Sequence, residues 1–334
     1  MIPIDDIPYN LTIMKYIFSV LTILLSLSSF SQEIALDSVQ GTEQKLNEVI
    51  VSSIRVKYNS PFTHSNVSRE DLSKKNLGQD LPILLNYLPS VVTTSDAGAG
   101  IGYTGIRIRG ISTQSTNITI NGIPFNDAES HGTFWVNLPD FSSSIESLQV
   151  QRGVGTSTNG SGAFGSSINI LTDGISEDPY AEISNSFGSY NSRKHTVKFS
   201  SGLLNDSFEI SGRLSKIDSD GYVDRAFSDL KSYFLQGAYK RGNTFLKALA
   251  FGGHEKTYQA WDGLSKEQIK ENRRQNPLTY ENEIDNYKQD HYQMHLNQKI
   301  DSKWSTNIGL NYTYGRGYFE QYREDDDVST YGGI

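Results

Sequence analysis

The chain has 334 residues, a formal net charge of -8, 36% hydrophobic residues and no cysteine. The acidic balance excludes a nucleic-acid binder, which needs a basic face. The lack of cysteine excludes a disulfide framework, a thiolate metal site and a cysteine nucleophile. The hydrophobic share is low for a soluble globular chain, yet 19 Tyr and 15 Phe are present, a balance that suits a structure burying only alternate residues.

The first patterned stretch is MKYIFSVLTILLSLSSFSQ, residues 14–32. Lys15 supplies a positive flank, residues 17–27 an apolar core, and Ser29 and Ser31 small residues at the cleavage positions, the form of a secretory signal. The other reading, a membrane anchor helix, needs ~20 apolar residues, and the run is too short. Asp5 and Asp6 precede it without a base, so Met14 is expected to be the true start and mature protein to begin near Gln32. Residues 1–31 are thus read as leader and signal peptide, and 32–60 as a flexible leader. Within the latter, LNEVIVSSIRV at 46–56 is strand-ready with no evident partner. It is either an edge strand of the next domain or an extended peptide offered to another protein's sheet. No other stretch reaches ~18 apolar residues, so an exported chain is either soluble or a β-barrel, whose lipid-facing residues are every second one.

Residues 61–175 read as a small α+β domain. Leu81, Leu84, Leu85 and Leu88 fall on one helical stripe, with Pro82 tolerable in the first turn and Pro89 as a stop. Strands come next. Ile106 and Ile108 alternate with Arg107 and Arg109; Ile118 and Ile120 with Thr119 and Asn121; Leu148 and Val150 with Gln149 and Gln151; Ile168 and Ile170 share a face. Asn121-Gly122 is a tight-turn signal, because both residues accept positive φ.

From about residue 178 the alternations lengthen. Phe208, Ile210, Gly212 and Leu214 oppose Glu209, Ser211 and Arg213; Tyr233, Leu235, Gly237 and Tyr239 oppose Ser232, Gln236 and Lys240, with Phe234 out of pattern. Tyr292, Met294 and Leu296 oppose His291, Gln293, His295 and Asn297; Ile308, Leu310, Tyr312 and Tyr314 oppose Asn307, Asn311 and Thr313. Weaker strands are expected near 181–187, 194–201 and 244–251. Short and long connections alternate along this half, the mark of an outer-membrane barrel; a soluble β-sandwich, the rival architecture, gives no reason for it.

These segments, taken in order, resemble the TonB-dependent outer-membrane receptors over roughly 46–173, and the strands from 178 onward are similar to the start of their barrel. EVIVS (Glu48, Val49, Ile50, Val51, Ser52) resembles the TonB box. LPILLNYLPSV at 81–91 looks like the plug helix with its Leu-Pro-x-Val turn, and IRIRG at 106–110 like the family's Arg-x-Arg-Gly strand. ITINGIP at 118–124 resembles its Asp-Gly-Val-Pro hairpin, with Asn121 in place of the Asp. IESLQVQRG at 145–153 and GSGAFGSSINILT at 160–172 resemble its closing strands, although Ser166 stands where a second Gly is common and GTSTN replaces the frequent Ser-x-Leu-Tyr. Each motif alone is weak; their ordered succession is specific.

The resemblance implies a mainly β protein: a small α+β plug domain at 61–175, then the N-terminal strands of an incomplete antiparallel transmembrane β-barrel at 178–334. It implies a location in the Gram-negative outer membrane after export by the signal peptide. It implies TonB, outer-membrane lipid and a small-molecule substrate as partners, with no nucleic acid. The cargo expected is an iron–siderophore or similar organometallic complex, carried as substrate and not as a resident cofactor. The box is expected to pair with TonB as an added strand. Arg107, Arg109 and Arg152 are expected to face carboxylates of the barrel wall, or else a solvated strand face. Asn126, His131, Phe134 and Trp135, after the Asn-Gly hairpin, are expected at the plug apex against substrate. For Trp135 plug core is an equal reading, and for His131 a hydrogen-bonding loop residue.

Three rivals stand beside active transport: a glycan importer of the same family, a passive porin or adhesin barrel, and a soluble binding module. No Ser-His-Asp, paired-carboxylate or metal-ligand constellation points to an enzyme. Plugged transporters have ~22 strands of about ten residues, and the stretch after 178 holds only about seven or eight. A truncated product with an open sheet edge is therefore expected.

Overall fold

A computed structural model describes residues 55–56, 61–155, 162–323, 327 and 329. The signal-like segment and Glu48, Val49, Ile50, Val51 and Ser52 lie outside the described residues.

Strand β1 (His64–Ser68) runs into helix α1 (Arg69–Ser73). Ser68 closes a capping box there: its hydroxyl accepts from Asp71 N, and the Asp71 carboxylate accepts from Ser68 N, both at 3.2 Å. Helix α2 spans only Leu81–Leu84, with Asp80 as N-cap and Pro82 in its first turn. All four leucines of the expected stripe are buried, but the backbone past Leu84 tightens. Leu85 N bonds Pro82 O and Leu88 N bonds Leu85 O, both at 3.0 Å and both i→i+3, before Pro89 ends the segment.

Strands β2 (Val91–Ser95) and β3 (Thr104–Ile108) form a two-stranded sheet. Strands β4 (Thr116–Ile120), β5 (Ile123–Pro124), β6 (Ile145–Arg152) and β7 (Ser166–Thr172) join β1 in a five-stranded sheet of order β1-β6-β7-β4-β5, in which β4 and β7 are parallel. The β4–β5 turn carries φ of 54° at Asn121 and 82° at Gly122, the positive pair that the dipeptide predicts. Ile118, Ile120, Leu148, Val150, Ile168 and Ile170 meet α2 and Ile106 and Ile108 of β3 in one core.

The remaining strands among the described residues form one antiparallel sheet of seven in sequence order, not closed: β8 (Pro179–Phe187), β9 (Arg193–Ser201), β10 (Phe208–Ser219), β11 (Ser228–Arg241), β12 (Thr244–Tyr258), β13 (Ile284–Lys299) and β14 (Ser305–Phe319). One end carries the turns 202–207, 242–243 and 300–304; the other carries 188–192, 220–227 and the long 259–283, which holds helix α3 (Lys266–Glu271).

The two faces of this sheet invert the soluble pattern. Phe208, Leu235 and Leu310 are exposed, Leu310 by 60%, while Glu209, Gln236, Lys247 and Arg213 are buried, Arg213 to 1% exposure. A soluble sandwich would bury the first set and hydrate the second. Here the polar face packs on the five-stranded unit and the apolar face points away, as a wall in lipid requires. Phe234, out of pattern in the sequence, lies on the polar face because the plug supplies it with an apolar partner: its ring is 6.4 Å from that of Phe141, and Phe141 is 5.3 Å from Phe251.

Candidate functional site

The inner unit and the wall are joined through the short helical turn Phe141–Ser144, which Asp140 precedes in a left-handed conformation, φ 52°, that Asp tolerates better than most residues. This conformation aims the Asp140 carboxylate at the wall. Oδ1 accepts from Lys194 Nζ at 2.8 Å, Asn76 Nδ2 at 2.8 Å and Ser143 Oγ at 2.6 Å. Oδ2 accepts from Thr196 Oγ1 at 2.7 Å and Ser215 Oγ at 2.6 Å, and lies 3.3 Å from Arg213 Nη1. Arg213 also donates to Asp140 O at 2.7 Å and Ser144 Oγ at 2.9 Å. Burial by itself would raise the Asp140 carboxyl; Arg213 and Lys194 outweigh it and hold the group well below the usual carboxylate range. Asp173 makes a second junction, to Lys198 of the wall at 2.9 Å, and is braced within the inner unit by Arg69 at 2.8 Å. Close approach is eased at Gly253 of β12, where a Cβ would sit 2.6 Å from Pro139 Cδ.

Among the described residues, the ion pairs between inner unit and wall are those of Asp140 and Asp173, and none involves Arg107, Arg109 or Arg152. Arg107 and Arg109 are exposed. Arg152 is buried inside the inner unit, donating to Pro89 O at 2.9 Å and Ser65 Oγ at 2.6 Å. In the pairs that join the two, the carboxylates are on the inner unit and the bases on the wall. Strand alternation says which residues share a face; it does not say what covers that face.

At the N-terminal side of the same unit, Arg55 donates to Ser147 O and Asn169 O, both at 2.8 Å, and to Ser147 Oγ at 2.9 Å. Val56 N donates to Gln149 Oε1 at 2.9 Å, and Gln149 Nε2 returns a bond to Val56 O at 3.1 Å. The chain directly after Glu48–Ser52 is therefore fastened to β6 and β7. Burial lowers the Arg55 guanidinium to about 10, the nearby Glu146 opposing it.

At the opposite, long-loop end, a cleft of about 420 Å³ opens between the 125–137 loop and strands β12, β13 and β14. Phe125, Phe134, Tyr103, Tyr287 and Phe319 give it aromatic walls, and Asp127, Glu129, Glu255 and Asp285 give it carboxylates. The Tyr103 hydroxyl donates to Asp285 and lies 3.4 Å from Glu255 Oε1; its pKa is pushed well up, by burial first and then by these two carboxylates. Gly315 and Gly317 leave room for the Tyr287 ring: a Cβ on Gly317 would fall 2.6 Å from Tyr287 Cδ2.

The four residues expected at the apex separate. Phe134 lines the cleft. Trp135, 2% exposed, belongs to the core. Asn126 spends its amide on the loop itself: Oδ1 accepts from Ile118 N at 2.7 Å, and Nδ2 donates to Thr116 O and His131 O, both at 2.9 Å. His131 is exposed, at φ 56°, outside the cleft lining. The residues that sequence reading missed, Tyr103, Glu255, Asp285 and Tyr287, come from remote segments. The signals available were the inward phase of Glu255 and Tyr287 and the Gly-x-Gly of β14, since glycines inside a strand mark close approach.

Residues 56–167 match the family model of the TonB-dependent Receptor Plug Domain. The chain is 31% identical over 156 residues to the Vitamin B12 transporter BtuB of Vibrio vulnificus (strain YJ016), over 47% of this chain and 25% of that protein. It is 25% identical over 173 residues to the Ferric enterobactin receptor of Pseudomonas aeruginosa, over 47% and 23%. Among solved structures, the ferric citrate transporter FecA in the unliganded form shares the fold at a TM-score of 0.64 and 19% identity, over 79% of this chain and 42% of that one. These alignments span about a quarter of the length of the curated relatives. An α+β unit seated on the polar face of an outward-apolar antiparallel wall bears that family's motifs in order: residues 56–167 are a TonB-dependent receptor plug domain, and the described chain is similar in fold to that plug followed by part of the receptors' barrel.

Proposed function

We propose that the chain is the working N-terminal half of an outer-membrane active transporter that imports a scarce, bulky solute, an iron–siderophore or a similar organometallic complex. In this reading residues 14–31 direct export, 32–60 hold the box, 61–175 are the plug, and 178–334 begin the barrel. The long-loop end of the wall faces outward, as barrels of this type place their longer loops outside. The observation that carries the reading is that the outward cleft is built jointly by plug and wall. A ligand seated there loses its floor when the plug moves.

The route of that movement is set by the connections. TonB adds as a strand to Glu48, Val49, Ile50, Val51 and Ser52, through main-chain bonds that tolerate varied side chains. Tension passes to Arg55 and Val56, and through their bonds to Ser147, Gln149 and Asn169 enters β6 and β7, the central strands of the plug. Phe134 is the apex residue placed to touch the solute.

The experiment is Val49→Pro, which removes a backbone donor from the added strand. Uptake of the cognate chelate by cells is expected to be lost while binding to whole cells persists. Uptake equal to wild type would refute the transporter reading and favour a passive channel.

A further inference from the structure

We infer that the cleft selects solutes bearing positive charge, chelates or organic molecules with a free ammonium or guanidinium group, over polyanionic chelates. This rests on reading the cleft as the ligand site. Its lining contains Asp127, Glu129, Glu255 and Asp285 and, among the described residues, no lysine, arginine or histidine. Tyr103 has one hydroxyl proton for two carboxylates, Asp285 and Glu255, and the other Glu255 oxygen accepts from Thr257 Oγ1 at 3.3 Å. Neither carboxylate has an ion-pair partner among the described residues, so each keeps acceptor capacity that a cation would fill.

A second observation is independent of the carboxylates. Thr133 and Asn137 both line the cleft, are 8% and 7% exposed, and hold side-chain oxygens, Oγ1 and Oδ1, with no hydrogen-bond partner among the described residues. A buried acceptor without a donor is costly, and the Asn137 Oδ1 can only accept. An ammonium brings several donors. A polyanionic chelate brings acceptors alone, and would set them against four carboxylates. The aromatic walls complete the preference, since a desolvated cation over Tyr or Phe faces is attracted by the ring quadrupole. A bare metal ion is the poorer fit: no group of three or more His, Cys, Asp or Glu able to hold one occurs among the described residues.

The test is a binding series on the full-length receptor in detergent, read by quenching of tryptophan fluorescence. The probes are a ferric trihydroxamate with a free ammonium, the same chelate N-acetylated, and a ferric tris-catecholate. The ammonium chelate is expected to bind at least about ten-fold tighter than its acetylated twin. That advantage should shrink as salt rises, and the tris-catecholate should bind weakest. Glu255→Gln and Asp285→Asn should each narrow the gap between the first two probes. Equal affinity for the ammonium and acetylated chelates, tightest binding of the tris-catecholate, or no binding of the ammonium chelate overturns the inference. The ranking on unaltered receptor does not depend on any variant folding. The assay contains no TonB, so failure here leaves box-dependent uptake standing, and box-independent uptake would leave the charge preference standing.

Discussion

Replacing Asp140 by Asn should loosen the plug from the wall while leaving each of them folded. The amide keeps the size and the left-handed tolerance of Asp, so the change isolates charge. It leaves Lys194 and Arg213, 2% and 1% exposed, without their counter-ion. Removing one partner of a buried pair costs about 3–5 kcal/mol. Arg213 retains the Asp140 and Ser144 oxygens at 2.7 and 2.9 Å, and Lys194 retains Ser143 Oγ at 3.3 Å, so the lower end of that range is expected. At roughly 1.4 kcal/mol per decade, 3 kcal/mol raises the opening equilibrium by about a hundred-fold. Hydrogen exchange of the protein in detergent reads this directly: amides of residues 141–150 should exchange about a hundred-fold faster, and those of β11–β13 should not change. Because the Asp140 carboxyl is held below its ordinary value, its contribution is complete above the unfolded pKa of ~3.9 and is lost only as pH falls through the lower folded value. Wild-type protection should therefore persist to about pH 4. Asp140→Asn with Lys194→Met and Arg213→Met should recover most of the loss, since it removes the buried charges left unpaired while keeping a residue that tolerates the left-handed backbone. Unchanged exchange in Asp140→Asn would show that the cluster does not hold the plug.

Two further outcomes are expected. Burial raises the Asp80 carboxyl from 3.8 to about 8, the bonds from Thr104 and Gly102 opposing it, so between those values the folded plug holds a proton the unfolded chain releases. Plug stability should fall by about 1.4 kcal/mol per pH unit as pH rises through that window and flatten above it; Asp80→Asn should abolish the slope in exchange measurements between about pH 6 and pH 9, and parallel profiles would contradict the assignment. Gly317→Val, whose Cβ would meet Asn286 O as well as the Tyr287 ring, should push that ring into the cleft, at a cost of about 1–3 kcal/mol, and lower the affinity of the cleft for a ferric trihydroxamate with a free ammonium. Gly309→Ala, whose Cβ would make only ordinary contacts, with His295 Nδ1 at 3.5 Å and Ile123 Cδ1 at 3.7 Å, is the control, and equal affinities in the two variants would rule out that role for Tyr287.

Most of the fold was legible because it is written in periods. The inverted alternation of Phe208, Leu235 and Leu310 against Glu209, Gln236 and Asn311 needs no knowledge of what lies opposite, only of a two-residue repeat. The Asn121-Gly122 turn was legible for a similar reason, since both residues take positive φ. The interface and the cleft are relations between distant segments. Asp140 is one acid among 38 Asp and Glu, and nothing nearby in sequence marks Lys194 or Arg213 as its partners. Trp135 and Phe134 are neighbours of like chemistry, yet one is core and the other faces the cleft. The short helical turn at Trp135–Asn137 decides this, and no repeat announces it. Phe234 was visible only as an exception, and the exception marked where plug and wall meet through apolar surface.

The chemistry of that meeting bears on how a plug can move at all. Around Asp140 and Asp173 the contacts are ionic and hydroxylic, and buried groups of this kind fix geometry more than they stabilise. When they separate, water replaces each lost partner, so displacement exposes little apolar area. Phe141 against Phe234 and Phe251 is different, because parting those rings exposes hydrocarbon that water does not compensate. In the proposed reading, tension entering at Arg55 reaches β6 and β7 first, and β6 begins at Ile145, directly after the Phe141–Ser144 turn. In that reading the pull bears first on the Phe141 contact, and a second apolar contact, of Ile101 and Val136 with Ile217 and Leu230 of the wall, lies farther along the plug. The polar contacts can then be exchanged for water one at a time, which lets the plug give way locally while the wall, held by its own ladder, stays intact.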